Sequence, residues 1–210
     1  MRRILYGFLV IIFSISIGFS QNDPAAKKIL DQTSTKLKSF KGITANFVYA
    51  SKSRAGKINS NVSGKISIKG EKYYIIQGKT EIYCDGKKSW NYSGGSEVTV
   101  TAVDDNSNTL TPQNLLSNFY DKDFTYKLIS SKGTFYEIEM YPTDRRKNFQ
   151  KVNVFIDKAK SLITKAEVLD KSQNKILFNL SNIKTNVSIS DAQFVFNSSK
   201  YKKKIEVVEL

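Results

Sequence analysis

The 210-residue sequence contains no histidine, one cysteine and three prolines. Without imidazole there is no Ser-His-Asp or Cys-His arrangement, and no zinc site that depends on histidine. A lone cysteine cannot build a disulfide framework, an iron–sulfur cluster or a CxxC redox centre. These absences remove the commonest catalytic chemistries before any motif is read. What is present is a globular balance, 40% hydrophobic and 25% charged, at a length that suits one domain with a sizeable core. The charge is lopsided: 33 Lys+Arg against 19 Asp+Glu, a formal +14.

The first twenty residues read as a leader. Arg2 and Arg3 precede an almost wholly apolar run from Ile4 to Ile17, and Gly18, Phe19 and Ser20 lead to Gln21 as the new N-terminus. That is the layout of a secretory signal peptide over 1–20, with 21–210 as a single exported domain. The apolar run is short for a membrane span. Loss of Arg2 and Arg3 lowers the formal charge from +14 to +12. Cys84 lies far from the cut, so N-terminal lipidation is not expected.

Asp23 and Pro24 then form a helix start, N-cap followed by first position. Ile29, Leu30, Thr33, Leu37 and Phe40 follow the 3.6-residue period to a close near Lys41 and Gly42, so this amphipathic helix lies on something. From Ile43 the period becomes two. Gly64–Gly70, Glu97–Thr101, Tyr136–Met140, Lys151–Ile156, Leu162–Leu169, Ile176–Leu180 and Phe194–Phe196 alternate apolar with polar residues between turn residues. Such spacing predicts an antiparallel meander rather than βαβ units. Thr111–Tyr120 interrupts it as a short second helix, after a polar loop at Asp104–Asn108.

The expected architecture is mainly β with α, a large curved antiparallel sheet (an incomplete β-barrel) under a helical lid. Ile66, Ile68, Ile82, Val98, Val100, Ile138, Met140, Val152 and Val154 are the inward candidates, and Trp90 and Tyr92 share a face. They either form a plain core or line a roomy apolar cavity.

In order along the chain, the first helix, Ile43–Tyr49, Gly64–Ile75, Ile82–Tyr92, Thr111–Leu116, Val152–Asp157 and Phe194–Phe196 resemble the LolA family of periplasmic lipoprotein carriers. The Asp85-Gly86-Lys87 turn leading to Trp90 and Tyr92 is the most specific piece. The resemblance implies a hydrophobic cavity walled by Ile66, Ile68, Tyr74, Ile76, Trp90 and Tyr92, with Leu30, Leu37, Leu115, Leu116 and Phe119 in the lid. It also implies acylated lipoproteins as cargo, an inner-membrane ABC transporter as donor and an outer-membrane acceptor. The expected protein is a periplasmic monomer of a Gram-negative bacterium, with no enzymatic activity, cofactor, metal or nucleic-acid partner. One residue departs from the pattern: Gly70 stands where the family has an arginine thought to hold the lid shut, with Lys69 and Lys72 nearby. Lid closure by apolar contacts is the expectation that follows.

Other readings carry less. Asp104/Asp105 and Glu137/Glu139 are the obvious carboxylate pairs, and Glu137 and Glu139 fit a solvated strand face better than paired-acid catalysis. Tyr201 to Lys204 suggests nucleic acid, but an export signal argues against it. Asn61, Asn91 and Asn186 begin short glycosylation-like matches of little weight. Cys84 alternates with Ile82 as a buried small residue. A lipid- or glycolipid-binding sensor or shuttle on the same scaffold is the competing function.

Overall fold

A computed structural model describes residues 22–103, 120 and 123–210. The expected leader, the 104–108 loop and the lid residues Leu115, Leu116 and Phe119 lie outside them. Among the described residues, the α-helix α1 (Pro24–Lys38) is followed by β1 (Ile43–Lys52), β2 (Ile58–Lys69), β3 (Lys72–Gln77), β4 (Thr80–Cys84), β5 (Lys88–Tyr92) and β6 (Glu97–Ala102). Then come β7 (Phe124–Ser130), β8 (Phe135–Pro142), β9 (Phe149–Asp157), β10 (Leu162–Asp170), β11 (Lys175–Thr185) and β12 (Glu206–Glu209).

The strands form one sheet in the order β12-β6-β5-β4-β3-β2-β1-β11-β10-β9-β8-β7. Two meanders, β1 to β6 and β7 to β11, are joined where β1 pairs with β11. Every pairing is antiparallel except β12 on β6. The sheet does not close into a barrel, since β7 and β12 stand at opposite edges.

The helix begins as its sequence requires. Asp23 accepts hydrogen bonds from the amides of Ala25 (2.8 Å) and Ala26 (3.4 Å), with Pro24 in the first turn. It closes earlier than expected. Ser39 is the C-cap, and its hydroxyl donates to the Lys36 carbonyl at 2.7 Å. Gly42 serves packing instead: a Cβ there would sit 2.5 Å from the Val187 carbonyl oxygen and 2.9 Å from the Ile189 side chain.

The expected strands at 97–101, 136–140, 151–156, 162–169 and 176–180 fall within β6, β8, β9, β10 and β11, and the one at 64–70 ends β2 at Lys69, with Gly70 in the turn that follows. Phe194–Phe196 does not pair as a strand. Residues 191–194 and 198–200 form short 3₁₀ turns, started by the Ser190 and Asn197 side chains accepting from Ala192 and Ser199 amides. These local bonds divert the backbone from a ladder. The segment crosses the face of the sheet, with Phe194 fully buried.

Candidate functional site

Alternation and register assign every strand residue to one of two faces. On β2 to β4, Ile66 pairs with Ile75 and Ile75 with Ile82, which puts all three on one face. Across β1, Ala45 faces Ile66 and Phe47 faces Gly64. Phe47 in turn pairs with Leu180, and its ring stacks on Phe178 at 6.0 Å between centroids. The row continues through Ala166 to Val154, Ile138 and Leu128, while Met140 pairs with Val152 and Tyr126. Together these side chains form one apolar core, into which α1 inserts Ala26 and Leu30. This is the helix face of the sheet.

The helix is held there by polar anchors at its N-terminus. Asp23 caps α1 with one carboxylate oxygen and accepts the Leu128 amide of β7 with the other, at 3.0 Å. The Asp23 amide donates to the Tyr126 carbonyl, and the Tyr126 amide donates to the Asn22 side chain. The free edge of β7 is thereby partly covered. The Leu128 amide, ahead of burial acting the other way, draws the Asp23 carboxyl below its ordinary 3.8. A shallow groove of about 790 Å³ runs along the other side of α1, past Pro24, Lys27, Asp31, Gln32, Thr35 and Ser161.

The apolar face extends beyond the helix. Among the described residues, the backbone of α1 comes nearest to β7 and β10; the face runs on through β11, β1, β2 and β3 to Ile82 on β4, and Phe178, Phe47, Ile66 and Ile75 along it are buried. At the β3–β4 end Tyr73 and Ile82 are only half-buried. Tyr73, beside Cys84, is pushed up to about 12 chiefly by burial, and burial raises the Cys84 thiol as well. That thiol is fully buried, as expected for a small apolar residue.

The sequence-predicted wall does not form one surface. Ile66, Ile68, Ile82, Ile138 and Met140 lie on the helix face. Tyr74, Ile76, Trp90, Tyr92, Val98 and Val100 lie on the far face. The two-residue turn between Lys69 and Lys72 sets Tyr74 opposite Ser67 rather than Ile66. Tyr83 pairs with Tyr74 and Trp90 in the same way. β3 and β4 are apolar on both faces, as in sheets covered on both sides, whereas β5 and β6 put Ser89, Asn91, Thr99 and Thr101 on the helix face and their apolar residues on the far one. Alternation within a strand could not tell which face of the sheet its apolar side joins. Of the lid residues within the described chain, Leu30 is fully buried and Leu37 half-buried. Phe47, Ile75, Phe178 and Tyr126 belong to the helix face and were missed, although Ile43, Ala45 and Phe47 carry a plain period of two.

The far face of β3 to β6 has its own cover, residues 187–205. Tyr92, Val98 and Ile205 form a second core with Trp90, Phe196 and Tyr201. At its centre Glu81 accepts hydrogen bonds from Tyr74 (2.6 Å), Tyr83 (2.6 Å) and Tyr201 (3.1 Å). Burial alone would raise this carboxyl, but the three hydroxyls outweigh it and hold it below its ordinary 4.5. Nothing local in the sequence announces this cluster, because Tyr201 is 120 positions from Glu81. Lys69 donates to the Ile189 carbonyl (3.2 Å), and Lys69 and Lys72 both pair with Asp191. Both lysines therefore tie down the C-terminal segment and point away from α1. Gly70, between them, has φ +60°, a backbone conformation strained for any residue that carries a side chain.

The far face of the other meander is solvated. Glu139 pairs with Lys151 at 2.7 Å, and Glu137 accepts from Asn153 at 3.0 Å, so the two acids stand on the expected polar face.

No curated protein matches the chain by sequence. Among solved structures, an uncharacterized conserved protein from Thermus thermophilus aligns with TM-score 0.60 at 13% identity, over 89% of this chain and 99% of that one. MucB, also solved with MucA from Pseudomonas aeruginosa, aligns with TM-score 0.53 at 12% identity, over 89% of this chain and 66% of that one. A LolA superfamily protein from Nitrosomonas europaea gives 0.47 at 13%, over 81% and 97%. At such identities the first two likenesses speak for the fold. The family described as outer membrane lipoprotein carrier protein LolA matches residues 16–165, more than two thirds of the sequence, and the chain belongs to that family.

Proposed function

We propose that the protein is a non-enzymatic periplasmic carrier that takes the acyl chains of lipoproteins onto the helix face of its sheet and delivers them to the outer membrane. The observation that supports this most is the apolar face that α1 covers only in part, with half-buried side chains at the β3–β4 end. An acyl chain entering there would run beneath or beside the helix. Burial of Ile29, Leu30 and Ala26 holds α1 down by about 4–6 kcal/mol. Keeping one acyl chain of about sixteen carbons out of water is worth about 12 kcal/mol, at ~0.8 kcal/mol per methylene. Relative to water, the cargo therefore outcompetes the helix for this face. Because membrane and protein face are both apolar, the net change between them stays small and onward transfer remains feasible.

The reading implies export by a cleaved leader, an inner-membrane ABC transporter as donor and an outer-membrane acceptor. Tyr74, Ile76, Trp90, Tyr92, Val98 and Val100 take no direct part; they seat the C-terminal segment. Depletion in the native cell tests the proposal. Outer-membrane lipoproteins should fall and accumulate at the inner membrane. Normal lipoprotein sorting with an altered envelope stress response would replace carriage by sensing.

A further inference from the structure

The run of lysines at 200–204 belongs to neither the helix face nor the family match, which ends at residue 165. The residues are not loosely tethered. Lys200 lies over the Tyr83 ring and Lys203 over the Tyr92 ring, with the ammonium groups 5.4 and 5.9 Å from the centroids. Both rings pack on Phe196. Lys203 also donates to the Gly94 carbonyl at 2.7 Å, and a Cβ built on Gly94 would lie 3.1 Å from the Lys79 side chain. Lys79, Lys200, Lys202, Lys203 and Lys204 are all exposed, and the contacts of Lys79, Lys200 and Lys203 place the group at one end of the far face.

The acids on this side are already engaged. Glu81 is enclosed by three hydroxyls, Asp191 is paired with Lys69 and Lys72, and Glu209 with Lys88. Among the described residues, no carboxylate is within ion-pair distance of the five lysines. We propose that this patch docks the protein on the surface of an anionic phospholipid bilayer. The choice of occupant follows from residue type. All five cations are lysine, a compact point charge suited to a diffuse anionic surface, whereas paired recognition of protein carboxylates favours the planar fork of arginine. Val195 and Val207, exposed nearby in the sequence, offer small apolar contacts to the headgroup region.

This surface lies opposite the proposed acyl site, and binding is read without cargo, so failure of either proposal leaves the other standing. The test is co-sedimentation of the exported protein with vesicles of phosphatidylglycerol and phosphatidylethanolamine, against vesicles of phosphatidylcholine alone. Binding should require the anionic lipid and fade as salt rises. At about fivefold per lysine near such a surface, K200Q/K202Q/K203Q/K204Q should weaken partitioning by about six-hundredfold. K28Q/K36Q/K38Q/K41Q, with the same net charge, should bind as the parent does. In the unaltered protein, anionic vesicles should protect the 200–204 lysines from acetylation. Equal loss in both variants, unprotected lysines, or capture by an acidic protein with no vesicle binding would each overturn the proposal.

Discussion

Asp23 does two things with one carboxylate: it caps α1 and accepts a β7 amide. Asp23→Ala should therefore cost about 1–2 kcal/mol, more than half of it recovered by Asn, as read in a urea melt. Its charge also gives a pH dependence of known sign. The folded-state carboxyl lies below its ordinary 3.8, so its contribution is complete above that value and disappears as pH falls through the lower folded one. Asp23→Asn should flatten the stability profile below about pH 4. Glu81 follows the same rule, being likewise depressed from 4.5. Tyr201→Phe removes one of its three hydroxyl donors and should lower stability by about 1–2 kcal/mol. The loss should appear as faster amide exchange in residues 187–205 and not in α1, since the hydroxyl ties only that segment to the sheet.

At the scale of elements, β2 is constrained by Gly64. A Cβ there would collide with the Ile76 carbonyl and come within 2.6 Å of the Phe47 ring. Gly64→Ala should cost about 2–3 kcal/mol in a thermal melt, because both β3 pairing and Phe47 must move. For α1, Leu30→Ala removes its one large fully buried side chain and should destabilise the helix docking by about 2–4 kcal/mol. Amide exchange in α1 should then rise while that in β1 and β11 stays close to the parent. The helix was legible because a cap, a proline and a 3.6-residue stripe agree over fifteen residues. Most strands were legible from a period of two. The 191–200 segment was not, since Phe194 and Phe196 mimic a strand pattern while Ser190 and Asn197 commit the backbone to turns.

For the whole molecule, sidedness decides what local pattern can show. A half-covered sheet reveals its inward face through alternation, but here β3 and β4 carry apolar residues on both sides and β5 and β6 only on the far one, because a C-terminal segment more than 80 positions away covers the second face. That contact is invisible to local pattern, and it moves Trp90 and Tyr92 away from Ile66 and Ile68. The two faces then divide the work: the helix face to accept an apolar chain, the far face to fix the lysine-bearing segment. Whether acylated cargo lies on the helix face, at its half-buried end, is the question on which the proposed carriage turns. A photocrosslinking benzoylphenylalanine placed in the native cell at Ile82, on the helix face, or at Val195, exposed in the far-face segment, tests it most directly. Mass spectrometry should find adducts of acylated lipoproteins at position 82 and none at 195. Acylated adducts at 195 alone, or at neither position, would contradict it.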